Sequence, residues 1–100
     1  MHEVDMTKCL LLALQQWREQ QASPQAMVDT IHLDVGRFTC VEPDQLQFTF
    51  QAAIAGTWLD GAQLQIEEIV SGRELRIRSI DYRTSLQSAV ESQNLSLQRV

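Results

Sequence analysis

The first three residues, Met1-His2-Glu3, carry the most specific metal chemistry in the chain. A large second residue such as His2 blocks removal of the initiator methionine, so Met1 keeps a free α-amine. That amine, the amide nitrogen of His2 and its imidazole form fused chelate rings around one ion. Ionising an amide nitrogen favours metals that prefer in-plane nitrogen donors, which are Ni(II) and Cu(II) rather than zinc. From position alone, a mobile residue at the chain end is the favoured explanation of His2.

Three other acidic or histidine side chains are weaker candidates for metal ligands. Glu42 could supply an auxiliary oxygen ligand, although a carboxylate before Pro43 is also favoured by the electrostatics of a helix start. His32 and Asp34 lie two residues apart on a predicted strand and could share an ion. A solvated sheet face explains that pair as well.

The sequence offers no arrangement typical of an enzyme. With two histidines and four glycines, it contains no nucleophile with an obvious base and no glycine-rich phosphate loop. We therefore expect a protein that is not an enzyme. Phe48 and Trp58 are candidate anchors for a partner protein, or members of a small core.

Charge and hydropathy exclude several further classes. The net charge of -5 and the pI near 4.8 argue against binding to nucleic acid or to a membrane surface. The apolar run Cys9–Leu14 is too short to span a bilayer and has no basic leader, so we expect a cytoplasmic protein. Cys9 and Cys40 lack CxxC spacing, and we expect both to be reduced, small apolar residues.

Periodicity predicts two helices and three strands. The apolar positions of the first helix repeat with helical spacing: Met6, Cys9, Leu10, Ala13, Leu14 and Trp17. Ser23-Pro24 ends this helix, and Pro43 begins a second one. The buried positions of the second helix are Leu46, Phe50, Ala53 and Ile54, with Gly56 as its C-cap.

Period-two patterns predict the strands. The first has Met27, Ile31, Leu33 and Val35 on its buried side, the second contains Ala62, Leu64 and Ile66, and the third contains Leu75 and Ile77. We expect a parallel strand-helix-strand unit, then a hairpin between the last two strands at Ser71-Gly72. The predicted fold is α+β, in the order α-β-α-β-β, with a three-stranded mixed β-sheet packed against two α-helices. Residues 1–82 form one domain, and we expect a frayed helix or disorder in the polar tail 83–100.

An ordered set of short segments resembles the HypA family of nickel chaperones for [NiFe]-hydrogenase maturation. The segments are Met1–Glu3, Ile31–Gly36, Cys40–Pro43 with Leu46 and Phe48, and Gly56-Thr57 with Gly61, Ala62 and Leu64. The resemblance covers about residues 1–82. It implies nickel held by His2, with main-chain nitrogens from Met1 and Glu3, and it gives Glu42 an auxiliary role. It also implies two partners, a HypB-like nickel-loading GTPase and the hydrogenase large-subunit precursor.

The chain departs from the family at one point. Members carry a zinc module with two CxxC pairs between the last two strands, whereas here Glu67–Val70 runs directly into Ser71–Leu75. We therefore expect no structural zinc. A short connection at this point favours a strand-swapped homodimer. The alternative function is a metal-free interaction scaffold, or a variant without productive nickel delivery.

Overall fold

A computed structural model describes residues 3–21, 26–70, 72 and 74–84, and the backbone of residues 91–99. Met1, His2 and Ser23-Pro24 lie outside these residues. The elements, in chain order, are α1 Glu3–Glu19, β1 Met27–Gly36, a 3-10 turn Arg37–Thr39, α2 Pro43–Ile54, β2 Gln63–Ile69, β3 Leu75–Arg83 and β4 Glu91–Arg99. The predicted α+β fold is confirmed, with two helices and a mixed sheet.

The two helices bury the predicted apolar stripes, with two exceptions. Leu10 and Leu14 of α1 are completely buried, as are Phe50 and Leu46 of α2. Cys9 is exposed because it lies at the margin of the stripe, one residue outside the buried positions of its turn. Ala53 is also exposed, at the margin of the stripe on α2.

β1 lies inside the sheet and forms hydrogen-bonded ladders with strands on both of its sides. It pairs in parallel with β2, which confirms the predicted strand-helix-strand unit, and antiparallel with β3. A register shift between Val28 and Thr30 explains one error at its start. Met27 was expected in the core but is 66% exposed, and Val28 is buried instead, because a bulge changes which alternate side chains face the helices.

The prediction of a hairpin between β2 and β3 was wrong, because the strand order is β2-β1-β3-β4. β3 lies on the other side of β1, where Trp17 of α1 packs edge-to-face on Tyr82 with ring centroids 5.2 Å apart. Between β2 and β3, Gly72 and Glu74 lie beside Gly36 at the end of β1. Gly72 has φ +152°, and Gly36 N–H donates to the Glu74 carbonyl at 2.9 Å. Glycine suits Gly72, since this φ is unfavourable for other residues.

β4 corrects the expectation for part of the polar tail. We expected a frayed helix or disorder from residue 83 onward, but Arg83 ends β3 and Glu91–Arg99 forms a fourth, antiparallel strand on β3. Its sparse apolar residues gave no alternation to detect. The hydrogen bonds between β3 and β4 join backbone groups and do not require apolar side chains. A polar sequence can therefore form this edge strand. Residues 85–90 and Val100 lie outside the description.

Candidate metal centre

The first turns of α1 and α2 lie side by side at one end of the molecule. The Glu42 N–H donates a hydrogen bond to the Glu3 carboxylate, with 3.0 Å between nitrogen and Oε1. At the other end, the Arg18 guanidinium lies 4.7 Å from the ring centroid of Trp58, just beyond α2. The helices therefore run in the same direction. This arrangement brings together two candidate site residues that are 39 positions apart.

Two adjacent helix N-termini create a positive electrostatic field, because each carries the partial positive charge of its helix dipole. A cation would be disfavoured there without compensating carboxylates. Four are available: Glu3 and Asp5 in the first turn of α1, Glu42 at the N-cap of α2, and Asp44 in its first turn. The acidic residues therefore make this end of the protein compatible with a metal ion.

The side chain and the main chain of Glu3 accept hydrogen bonds from different partners. Its carboxylate accepts the Glu42 hydrogen bond, and its carbonyl accepts from the Thr7 hydroxyl at 2.8 Å. Because α1 begins at Glu3, the amide nitrogen of Glu3 has no acceptor within the helix. The predicted nickel site uses this main-chain nitrogen as a donor.

Glu42 is exposed, and its backbone N–H and carbonyl each form a hydrogen bond. Its N–H bonds Glu3, and its carbonyl accepts the Leu46 N–H at 2.9 Å, which starts α2. No hydrogen bond or ion pair to the Glu42 carboxylate occurs among the described residues. That carboxylate is free to approach an ion at the start of α1. Since Met1 and His2 are outside the description, their placement as ligands remains a prediction.

The second predicted pair, His32 and Asp34, does not form in the structure. His32 Nε2 lies 2.9 Å from Asp81 Oδ2 on β3, and Asp34 instead lies 3.8 Å from Nε of Arg78. Both pairs are on the sheet face opposite the helices. Among the residues that the structure describes, no three His, Cys, Asp or Glu side chains lie close enough together to bind one metal ion.

The structure also places three further side chains that the sequence had singled out. Phe48 is 71% exposed and is not part of the core, whereas Trp58 is partly buried against it. Cys40 is exposed, like Cys9. The contact missed by sequence reasoning is the one between Glu3 and Glu42, which has no local signal because its partners belong to different helices.

Comparison with known proteins identifies the group to which this arrangement belongs. Residues 1–70 match the family model described as hydrogenase/urease nickel incorporation, metallochaperone, HypA. The chain belongs to the HypA family. The predicted resemblance is confirmed over these residues, which include both helices, β1 and β2, and therefore the whole candidate site.

Several curated proteins are similar to this chain. A guanidine hydrolase-activating protein A from Synechocystis sp. is 48% identical over 69 residues, covering 69% of this chain and 57% of that protein. A hydrogenase maturation factor HypA from Synechococcus sp. is 47% identical over 68 residues, covering 68% and 51%. One from Streptomyces avermitilis is 39% identical over 69 residues, covering 69% and 52%. The chain thus spans about half the length of these relatives.

The family is described as a metallochaperone family. Both cysteines of the sequence are exposed and lie outside any disulfide, and neither belongs to a CxxC pair. No helix in the described ranges has the length and apolar character needed to cross a bilayer.

Proposed function

We propose that this protein binds Ni(II) at Met1-His2-Glu3 and delivers it during maturation of a nickel enzyme. Membership of the HypA family supports the choice of nickel and the role in delivery. The amine, the His2 imidazole and the main-chain amides supply the nitrogen donors that Ni(II) favours. Nickel is the cargo in this proposal, and no structural zinc is required.

The observation that carries the location of the site is the hydrogen bond between Glu42 N–H and the Glu3 carboxylate. It holds the beginning of α1 against the beginning of α2 and places Glu3 beside Glu42. We assign Glu42 as an auxiliary oxygen ligand on this basis. The side chain of Glu3 is a positioning group, and its amide nitrogen is the donor.

Calorimetric titration with Ni(II) tests the site. We compare the untagged protein with His2→Ala and with a form extended by two residues before Met1, which removes the free amine from the chelate. Both changes are expected to lower nickel affinity at least about tenfold, while Glu42→Gln lowers it less. Equal affinity in the untagged, His2→Ala and extended proteins would remove the N-terminus as the site.

Recipient and partners are inferred from relatives. The proposed partners are a HypB-like GTPase and the hydrogenase large-subunit precursor. The similarity to a guanidine hydrolase-activating protein favours a second recipient, guanidine hydrolase. Transfer of nickel from the loaded protein to each purified apo-protein, with the GTPase present, decides between the two. Failure with both, despite tight nickel binding, supports the alternative function of an interaction scaffold.

β2 ends at Ile69 and β3 begins at Leu75, so few residues separate two strands that lie on opposite sides of β1. Exchange of β3 and β4 between two copies across this connection would give a strand-swapped homodimer, which we retain as part of the proposal. Light scattering that shows only monomer over a wide concentration range would contradict it.

A further inference from the structure

Two glutamines of α2, Gln47 and Gln51, form hydrogen bonds with the backbone at the beginning of β2, and we call them the glutamine cover. The Gln47 carboxamide donates to the Leu64 carbonyl at 2.9 Å and accepts from the Leu64 N–H at 3.2 Å. Gln51 donates to the Ala62 carbonyl at 2.9 Å. Gln47 therefore offers one donor and one acceptor to a single residue, as an opposing residue of an antiparallel strand does.

These bonds lie on the side of β2 that faces away from the rest of the sheet. β2 is the last strand on its side, with β1 as its neighbour. Because the N–H and the carbonyl of Leu64 both bond Gln47, they point away from β1. Successive residues of a strand direct these groups to alternate sides, so those of Ile66 and Glu68 point outward as well. Such an edge is a template on which another chain can add a strand.

The covered part of the edge extends from Ala62 to Leu64. The Ala62 N–H donates to the Leu59 carbonyl at 2.9 Å, so both backbone groups of Ala62 have partners, as do those of Leu64. Among the described residues, no hydrogen bond from outside the sheet reaches the backbone of Ile66 or Glu68. The glutamine cover therefore leaves Ile66 and Glu68 as the outward-pointing residues of β2 that another strand can reach.

Leu64 matters because, without its cover, β2 has a favourable way to pair with a second copy of itself. Antiparallel pairing of two β2 strands centred on Ile66 sets Leu64 of each copy opposite Glu68 of the other. Each outward-pointing residue from Leu64 to Glu68 then has a partner, and no acidic residue lies directly opposite another. This ladder needs the N–H and the carbonyl of Leu64, which Gln47 occupies.

The antiparallel registers that avoid Leu64 are less favourable. Within β2 they use only Ile66 and Glu68, a ladder shorter than strands of globular proteins usually form. They also set Glu67 or Glu68 opposite its own copy, and like charges directly opposite are destabilising. This repulsion is reduced, because both carboxylates pair with arginines of their own chain at 2.9 and 3.9 Å. The length of the ladder is therefore the main barrier, and Gln47 sets that length.

We propose that the glutamine cover closes the edge of β2 against pairing with a second copy of this chain. A second strand must displace the Gln47 carboxamide before it reaches Leu64, and it then restores hydrogen bonds that the chain already makes. The closure does not depend on nickel, since neither glutamine lies in the first turn of α2. It is also separate from the strand-swapped homodimer, in which β3 and β4 exchange and the edge of β2 is unchanged.

Sedimentation velocity of the metal-free full chain tests the closure. Gln47→Met keeps the length of the side chain but removes its hydrogen bonds, and Gln47→Met with Gln51→Met removes the whole cover. The double variant is expected to dimerise at concentrations at least about tenfold lower than the unmodified chain, because the edge has lost its internal partners. Gln45→Met is the matched control, since Gln45 is exposed on the same helix. We expect it to leave the oligomeric state unchanged.

Amide hydrogen exchange followed by NMR shows whether a new dimer uses β2. In the double variant, protection of the Ile66 and Glu68 amides is expected to rise with protein concentration, whereas in the unmodified chain it is independent of concentration. A double variant that is folded by circular dichroism and shows no such rise overturns the proposal. The same rise in the unmodified chain or in Gln45→Met also overturns it. Where the double variant does not fold, the single variant Gln47→Met decides by the same measurement.

Discussion

Replacing Glu3 by alanine removes the contact that joins the beginnings of the two helices. The mutation deletes the carboxylate that accepts the Glu42 N–H at 3.0 Å. Loss of a side-chain cap at a helix start costs about 0.5–2 kcal/mol, and loss of a first-turn carboxylate costs about 0.3–1 kcal/mol through the helix dipole. Because this hydrogen bond is exposed, we expect a total loss of about 1 kcal/mol.

Asp5→Ala is the matched control for Glu3→Ala. Asp5 lies in the same first turn and is exposed, so its removal changes the dipole interaction without touching α2. We expect a loss of about 0.3–0.5 kcal/mol for Asp5→Ala. Glu3→Gln should fall between the two, since its amide oxygen still accepts a hydrogen bond but carries no charge.

Urea denaturation followed by circular dichroism measures these differences, and thermal unfolding gives a second estimate. A loss of 1 kcal/mol lowers the Tm of a domain of this size by about 4–8 °C. The decisive quantity is the difference between Glu3→Ala and Asp5→Ala. If both variants lose the same free energy of unfolding, the contact with Glu42 contributes nothing and the proposed positioning of the N-terminus is wrong.

Three further outcomes follow from burial, edge pairing and metal chemistry. Leu10→Ala should cost about 3 kcal/mol because the side chain is completely buried, whereas Leu12→Ala, 61% exposed, should change the urea midpoint little. Gln47→Ala should cost about 1 kcal/mol and speed hydrogen exchange of the Leu64 amide, and unchanged exchange would contradict the edge pairing. Nickel affinity should fall as pH is lowered, because protons compete for the donor nitrogens; calorimetry in buffers of different ionisation enthalpy counts the protons released, and a pH-independent affinity would exclude this chelate.

Local periodicity predicted the two helices and the first three strands, but neither β4 nor the order of the strands in the sheet. The apolar repeat of α1 marked Leu10 and Leu14 correctly, because one helix face against one sheet leaves a 3.6-residue signature. The position of β3 beside β1 depends on contacts such as Trp17 with Tyr82, which are distant in the sequence. A hairpin between β2 and β3 was locally reasonable, and only these tertiary contacts exclude it.

The candidate site shows the same division between local and distant information. Glu3 and Glu42 could each be selected from the sequence, because chain-end chelation and a proline-initiated helix have local signatures. Their contact could not be predicted, since it depends on α1 and α2 running in the same direction. Met27 illustrates a smaller failure, in which one bulge reverses the side of the sheet that a residue faces.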